Sequence, residues 1–270
     1  MGYKLVSWVN KYIIVELFGF LEKYISNYGV IIMIIVLLVK LALFPLSRKS
    51  YLSMAKMKAL KPELDAMKEK LGGDAQKMQQ EQMKLYRQVG VNPISGCIPL
   101  VLQMPILFAM FFFFPNSIEL RQQSFLWATD LSTYDVLINL PFTIPFYGSH
   151  VSGFTLLMTL STLLYTWSNN QVSSVQGPMK SIGYFMPIIF MFVLNSYSSG
   201  LSFYYFVSNI ITFGQQTLIR RFVDEDKIRA TLEENKKKNV NKKKSKFASR
   251  LEDAMKASQE AQRQKQKGKK

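Results

Sequence analysis

Gly29-Val-Ile-Ile-Met-Ile-Ile-Val-Leu-Leu-Val-Lys40-Leu-Ala-Leu-Phe-Pro-Leu46 is an apolar run broken by a single charge. As a helix it would rise about 27 Å at ~1.5 Å per residue, close to the ~30 Å hydrocarbon thickness of a bilayer. Four further runs of the same kind follow, at residues 94–114, 152–168, 181–198 and 201–221. Charge collects between and after them. Of 34 Lys and Arg, 26 fall in residues 48–87 and 227–270, within a chain of net charge +16 that is nonetheless 49% hydrophobic. A soluble nucleic-acid binder would spread its cations over its whole surface; this partition implies membrane spans alternating with basic aqueous segments. The expected fold class is an all-α polytopic membrane protein with five transmembrane helices.

Helix punctuation agrees with these limits. Asn92-Pro93 reads as an N-cap with proline at the first helical position, and Gly177-Pro178 precedes the fourth run. Ser198-Ser199-Gly200 reads as a tight turn in which Gly200 takes a left-handed, helix-ending conformation. Pro99, Pro105 and Pro187 lie inside runs, where neighbouring helices can satisfy the freed carbonyls.

Counting cations sets the expected orientation. Residues 47–93 hold ten Lys and Arg, 115–151 hold only Arg121, and the tail after the fifth run holds sixteen. The positive-inside rule makes 47–93 a cytoplasmic helical hairpin joined at Leu71–Asp74, and 115–151 an extracytoplasmic loop. The 169–180 loop is cytoplasmic by parity, and 222–270 is expected to be a basic cytoplasmic tail, disordered or only nascently helical. Residues 1–28 mix Trp8, Tyr12, Phe18, Phe20 and Tyr24 with Lys and Glu, which suits an outer amphipathic interfacial helix. A sixth, weakly apolar span is the competing reading. These residues do not follow the order of a secretory signal.

Few reactive groups are available for covalent chemistry. One cysteine, Cys97, and one histidine, His150, exclude an internal disulfide, a thiolate cluster or a His-pair metal site. A Ser-His-Asp or Cys-His triad has no evident partner residues, and no G-x-x-x-x-G-K-[ST] loop is present. No cofactor and no enzymatic activity are expected.

The informative residues are polar ones at membrane depth. Lys40 lies about 9 Å from the cytoplasmic edge, and Gln103 about 13 Å, at ~1.5 Å per residue. Thr155, Thr159, Thr162 and Thr166 share one helical face, and Ser208, Thr212 and Gln215 repeat that spacing beside Asn209 and Gln216. By the expected orientation, Thr159, Thr162, Thr212 and Gln215 reach the level of Lys40 and Gln103. The outer half is aromatic, with Asn195 the main exception. A hydrophilic groove open to the cytoplasm accounts for this, since no Asp or Glu lies in any run to pair with Lys40. The competing readings are structural: Lys40 snorkelling, Gln103 linking helices, and hydroxyls bonding their own helix carbonyls.

Several blocks carry a resemblance. Lys40-Leu-Ala-Leu-Phe-Pro-Leu46, Tyr51-Leu-Ser-Met-Ala-Lys-Met57 and Leu60-Lys-Pro-Glu-Leu64 resemble the start of the conserved core of YidC-type membrane protein insertases. So do Val91-Asn-Pro-Ile-Ser-Gly-Cys-Ile-Pro-Leu100, Gln103-Met-Pro-Ile106 and Ser199-Gly-Leu-Ser-Phe-Tyr-Tyr-Phe-Val-Ser-Asn209. The resemblance covers roughly residues 15–222. It implies a five-helix core around a groove closed on the outer side, in the bacterial inner membrane, with a mobile cytoplasmic hairpin. It also implies a positive residue in the groove, usually Arg, that receives polar or acidic stretches of an incoming chain. Lys40 stands at that position, keeping the charge without the bidentate guanidinium fork. By the same matching, Met104, Tyr204 and Tyr205 line the surface along which a new span leaves. Many members from Gram-negative bacteria carry, in addition to this core, an N-terminal span and a large extracytoplasmic domain.

The function so implied is an insertase and folding chaperone that hydrolyses no nucleotide. Its partners would be nascent membrane proteins and membrane lipids, with the ribosome at the basic tail and the Sec translocon as further candidates. The alternative is a transporter or lipid-moving protein using the same groove. A transporter, however, predicts internal repeats and an outer half richer in polar groups.

Overall fold

The Asn27 side chain accepts a hydrogen bond from the Val30 amide at 3.1 Å, which satisfies one donor that a helix start leaves orphaned. The helix it opens, α3, runs Tyr28–Ala42. In the computed structural model, which describes residues 4–71, 75–92, 98–172 and 178–238, α3 is preceded by α1 (Lys4–Val9), a π-helical turn (Asn10–Ile14) and α2 (Val15–Glu22). The chain bends by 61° after α3 and enters α4 (Phe44–Ala59). Pro45 accounts for the bend, having no amide proton to give and a ring that clashes with the preceding turn. Pro62 similarly opens α5 (Lys61–Lys70), so the outgoing arm of the expected hairpin is two helices rather than one. The return arm is α6 (Ala75–Gln88). The joint expected at Leu71–Asp74 lies mostly outside the described residues, as do Pro93–Cys97 and Gly177 from the expected helix starts.

Four longer helices complete the body: α7 (Ile98–Asn116), α8 (Gly153–Val172), α9 (Pro178–Leu194) and α10 (Ser199–Arg221). Among the described residues, no single helix is long and apolar enough to cross a membrane. The bent pair α3–α4 is, and Gln103–Asn116 and Ser181–Leu194 are shorter apolar helices. α3 alone rises only about 22 Å at ~1.5 Å per residue. α8 and α10 are longer but interleave Thr, Ser, Asn and Gln with Leu and Phe.

The fold is mostly helical, not all-α as expected. Between α7 and α8 an antiparallel pair, β1 (Ile138–Ile144) and β2 (Gly148–Val151), aligns Ile138 with Val151 and Ile144 with Gly148 around a bulge. The strand signal is local: β1 is rich in β-branched and aromatic residues, and a Pro-Phe-Tyr turn closes it.

One apolar core joins the N-terminal helix to α3, α7, α8, α9 and α10. Ile31, Ile32, Met110, Phe114 and Leu201 are fully buried within it, and Ile35 nearly so. Phe18 of α2 packs between Tyr28 and Phe113, and α10 lies against both α8 and α3. Two glycines permit close approach. A Cβ at Gly29 would enter the Phe125 ring, and one at Gly200 would lie 2.9 Å from the Leu131 carbonyl. Gly200 therefore serves packing inside the first turn of α10. It is not among the described left-handed residues, contrary to the helix-ending role expected of it.

A second apolar cluster lies apart from the first and gathers Leu60, Leu64, Leu85, Tyr86 and Val89 with Ile228 and Leu232. The last two belong to α11 (Glu225–Lys238), so the expected disorder of 222–270 does not hold for its first part. Ile228 and Leu232 are four residues apart and share a face, which α11 lays against α4 and the apolar cluster that Leu64 of α5 and Leu85 and Tyr86 of α6 complete. Asn235 Nδ2 fixes that pose by donating to the Val89 carbonyl at 3.2 Å. The rest of the tail, 239–270, lies outside the described residues.

Candidate functional site

Lys40 sits in the last turn of α3, before the bend, and only 7% of it is exposed. Its ammonium donates to Gln103 Oε1 of α7 at 3.3 Å, and Gln215 Nε2 of α10 donates to the Lys40 carbonyl at 3.1 Å. Three helices distant in sequence thus meet at Lys40, α7 at its ammonium and α10 at its backbone carbonyl. Among the described residues no carboxylate pairs with it. An ammonium has three protons to give and one amide oxygen receives them here, so the charge is poorly compensated. Such a group can attract an anion or a water-bearing polar segment.

The remaining polar residues of the expected groove divide into two groups. Thr159, Thr162 and Thr212 hydroxyls donate to the carbonyls of Thr155, Met158 and Ser208 on their own helices, at 2.8, 2.7 and 2.7 Å. Back-bonding of this kind consumes their donors. Thr162 also accepts from Asn209 Nδ2 at 2.7 Å, and Ser161 does so at 3.0 Å, which ties α10 to α8. Ser208 is buried in the same helix contact. The structure therefore brings Lys40, Gln103 and Gln215 together and makes Thr162 part of a helix joint; Thr159 and Thr212 turn back on themselves.

Of the expected sliding surface, Met104 is 41% exposed and Tyr205 half-buried, but Tyr204 is 1% exposed. Tyr204 packs on Phe114 and closes a small apolar cleft with Ile32, Ile35 and Met110. It does not reach an open surface. Consecutive residues point about 100° apart on a helix, so Tyr204 and Tyr205 cannot both face the same way.

Sequence reasoning missed the polar centre at the opposite end. Asp135, in the loop before β1, is buried; its Oδ2 accepts from Trp127 Nε1, Gly153 N and Phe154 N at 2.7, 2.7 and 3.1 Å. Its Oδ1 accepts from the Ser152 hydroxyl. The carboxylate thus caps α8 from outside the helix, where the helix dipole favours negative charge. Beside it Asn195 accepts from the Ser152 amide at 2.9 Å and donates to the carbonyls of Tyr147 and His150 at 2.9 and 2.8 Å. His150 Nε2 returns a hydrogen bond to the Asn195 carbonyl at 2.9 Å, and its ring stacks on Tyr134. The available signal was Ser152 as an N-cap type before an apolar run. Nothing in the sequence pairs it with an acid seventeen residues earlier.

The model of the family described as 60Kd inner membrane protein matches residues 20–227. The chain belongs to that family. Among curated members, the membrane protein insertase YidC of Amoebophilus asiaticus is 64% identical over 96% of this chain and 43% of its own length. That of Cytophaga hutchinsonii is 58% identical over 97% and 43%. The chain therefore spans less than half the length of these relatives. Among solved structures, a crystal structure of an active YidC insertase with its first transmembrane domain resolved is similar with a TM-score of 0.57. It is 29% identical over 77% of this chain and 46% of the other. The 60Kd family match includes Lys40, Gln103 and Gln215.

Proposed function

We propose that the chain carries the insertase core of a bacterial inner-membrane protein that helps newly made membrane proteins enter the bilayer. α3, α7, α8, α9 and α10 span the membrane in this reading, with α4–α6 and α11 on the cytoplasmic side and the β1–β2 loop outside. The spans cross as a packed and partly bent bundle rather than as five independent apolar rods. Short α3 and the polar content of α8 and α10 are then consequences of a groove at the cytoplasmic half.

The observation that carries this reading is the buried, uncompensated Lys40 beside Gln103 and Gln215. An acidic residue at the centre of a bilayer costs ~2.5–3.5 kcal/mol on the insertion scale. A cation halfway through the inner leaflet lowers that barrier for an acidic tail, while the attached apolar span partitions into lipid by its own hydrophobicity. Met104 and Tyr205 border the exit; Thr159, Thr162 and Thr212 supply the polar wall behind Lys40 once their backbone acceptors are shared with water, and Ser208 adds its hydroxyl to that wall. The client undergoes no covalent change, and no nucleotide is hydrolysed. The basic tail meets the ribosome or anionic lipid, and the Sec translocon is a second candidate partner.

The test is protease-protected insertion, into liposomes holding only this chain, of a single-span client with a short acidic outer tail. Protection well above protein-free liposomes, falling with Lys40→Ala, is expected. Insertion that Lys40→Ala leaves at the wild-type rate would remove Lys40 from the mechanism for such clients.

A further inference from the structure

The loop between α7 and α8 turns its apolar side chains outward. Ile138, Phe142 and Phe146 are 54%, 60% and 98% exposed, and residues 136–149 contain no charged side chain. Single exposed apolar residues are ordinary, but an uncharged, aromatic-tipped strand pair with free edges is a liability in water. Soluble proteins blunt such edges with lysine or another charge, and here there is none.

Two features argue that the exposure is built rather than incidental. Phe146 has φ 66°, a left-handed conformation that is strained for a bulky residue. That strain is held at a side chain almost wholly free of contact with the described residues. The residues that follow it, by contrast, are fixed: Tyr147, the last of the turn, is buried, its ring stands edge-on to Phe192 of α9 at 5.3 Å, and Asn195 holds the Tyr147 and His150 carbonyls. A rigid mount thus presents a strained aromatic tip.

Where the apolar surface leads decides its occupant. Through Phe192 it continues onto the exposed flank of α9, where Phe185, Ile189 and Val193 are 64%, 55% and 56% exposed. In the membrane-spanning reading above, on which this inference rests, that flank faces lipid. A protein partner would be expected to find polar or charged groups around an apolar centre; the hairpin offers only Asn139, Thr143 and Ser149.

We propose that the β1–β2 hairpin is a lipid anchor seated in the headgroup layer of the outer leaflet, holding the ends of α8 and α9 at a set depth. The depth follows from the backbone. A two-stranded sheet leaves amide and carbonyl groups unpaired along both edges, which headgroups and their water tolerate and hydrocarbon does not. Pro141 and Pro145 remove two of the amide donors that would otherwise need partners. Phe142 and Phe146 then lie at the level where membrane proteins concentrate aromatic side chains.

The test uses the chain with Cys97→Ser, so that one introduced cysteine carries an NBD fluorophore, in phosphatidylcholine–phosphatidylglycerol vesicles doped with nitroxide lipids. Labels go at Phe146→Cys, at Ser149→Cys, which keeps every apolar side chain of the hairpin, and at Val193→Cys on α9. The expected result is a blue shift at 146 and 149, stronger quenching by nitroxide near the headgroup than near the chain end, and protection from aqueous iodide. Iodide quenching at both hairpin sites, with Val193→Cys still quenched by nitroxide, overturns the anchor and leaves the spanning reading intact. Protection from iodide without nitroxide quenching means that a second copy covers the hairpin, and also overturns it. No nitroxide quenching at any of the three sites removes the spanning reading and the anchor with it.

Discussion

At the loop end, Asp135 and Asn195 bind α8, the hairpin base and the α9–α10 turn through buried hydrogen bonds that match donor to acceptor. At the other end, Lys40 places a full charge among helices and finds one amide oxygen, and α4–α6 and α11 hold together through apolar contacts and exposed ion pairs. Lys236–Glu63 at 2.8 Å and Lys58–Glu225 at 3.6 Å are of this second kind, each worth about 0.2–1 kcal/mol. The contrast teaches how to separate structural from functional polarity inside a helical body. A satisfied polar cluster rigidifies, whereas an unsatisfied charge is retained at a cost that stability alone does not explain.

The largest effect is expected at the satisfied end. Asp135→Ala would leave the Trp127 indole, two helix-start amides and the Ser152 hydroxyl without their acceptor. A loss of about 3–5 kcal/mol is expected, since unpaired buried donors cost more than the bonds gained. Thermal unfolding in detergent measures it, with Asp135→Asn falling between the mutant and wild type. Wild-type melting of Asp135→Ala would break the comparison, because the loop end would then owe its rigidity to packing alone.

A smaller and more local loss is expected where α11 docks. Leu232→Ala removes a side chain that is 4% exposed in the second apolar cluster, worth about 1.5–3 kcal/mol of docking. Hydrogen exchange would quicken in α5, α6 and α11, while the amides of α8 and α10 keep their protection. Equal loosening of both would mean that the two clusters unfold as one unit.

These two sites also mark what sequence can and cannot reveal. The apolar runs at α7 and α9 were legible because each is continuous, and the meeting of Lys40, Gln103 and Gln215 followed from their depth along separate helices. The bends were signalled by Pro45 and Pro62, yet the uninterrupted apolar or charged character across them hid the break. The docking of α11 was not legible: Ile228 and Leu232 lie in a Lys-rich stretch, and their partners Leu64 and Tyr86 are distant in sequence. Asp135 was hidden for the same reason, as an ordinary loop acid until α8 and Asn195 fold around it. The threonines misled because spacing reports the face a hydroxyl occupies, not whether its own helix carbonyl already takes its proton.

At Lys40 the sign should reverse. Lys40→Met removes a poorly paired buried charge, so melting should stay level or rise by about 1–4 kcal/mol. Insertion of an acid-tailed client should fall roughly 5–30-fold if the lost attraction is ~1–2 kcal/mol. Lys40→Arg should restore insertion. A stability loss in Lys40→Met comparable to that of Asp135→Ala would make Lys40 another structural tie and erase the distinction between the two ends.

The smallest effect sharpens the contrast at the surface. The Ser117 hydroxyl donates to Glu119 Oε2 at 2.6 Å and holds that carboxyl below the usual range, helped by the local backbone amides. The ionised form is therefore favoured on folding. Its contribution is present above the usual carboxylate value and is lost as pH falls through the lower folded value. Ser117→Ala should return the Glu119 titration, followed by carboxyl NMR, towards the ordinary range with little change in melting, because Glu119 is exposed. Salt separates the two ends once more. A neutral hydroxyl donor is little screened, so the Glu119 shift should persist at high ionic strength, while the Lys236–Glu63 pair should weaken. If both shifted together, the loop end would depend on net charge rather than on matched hydrogen bonds.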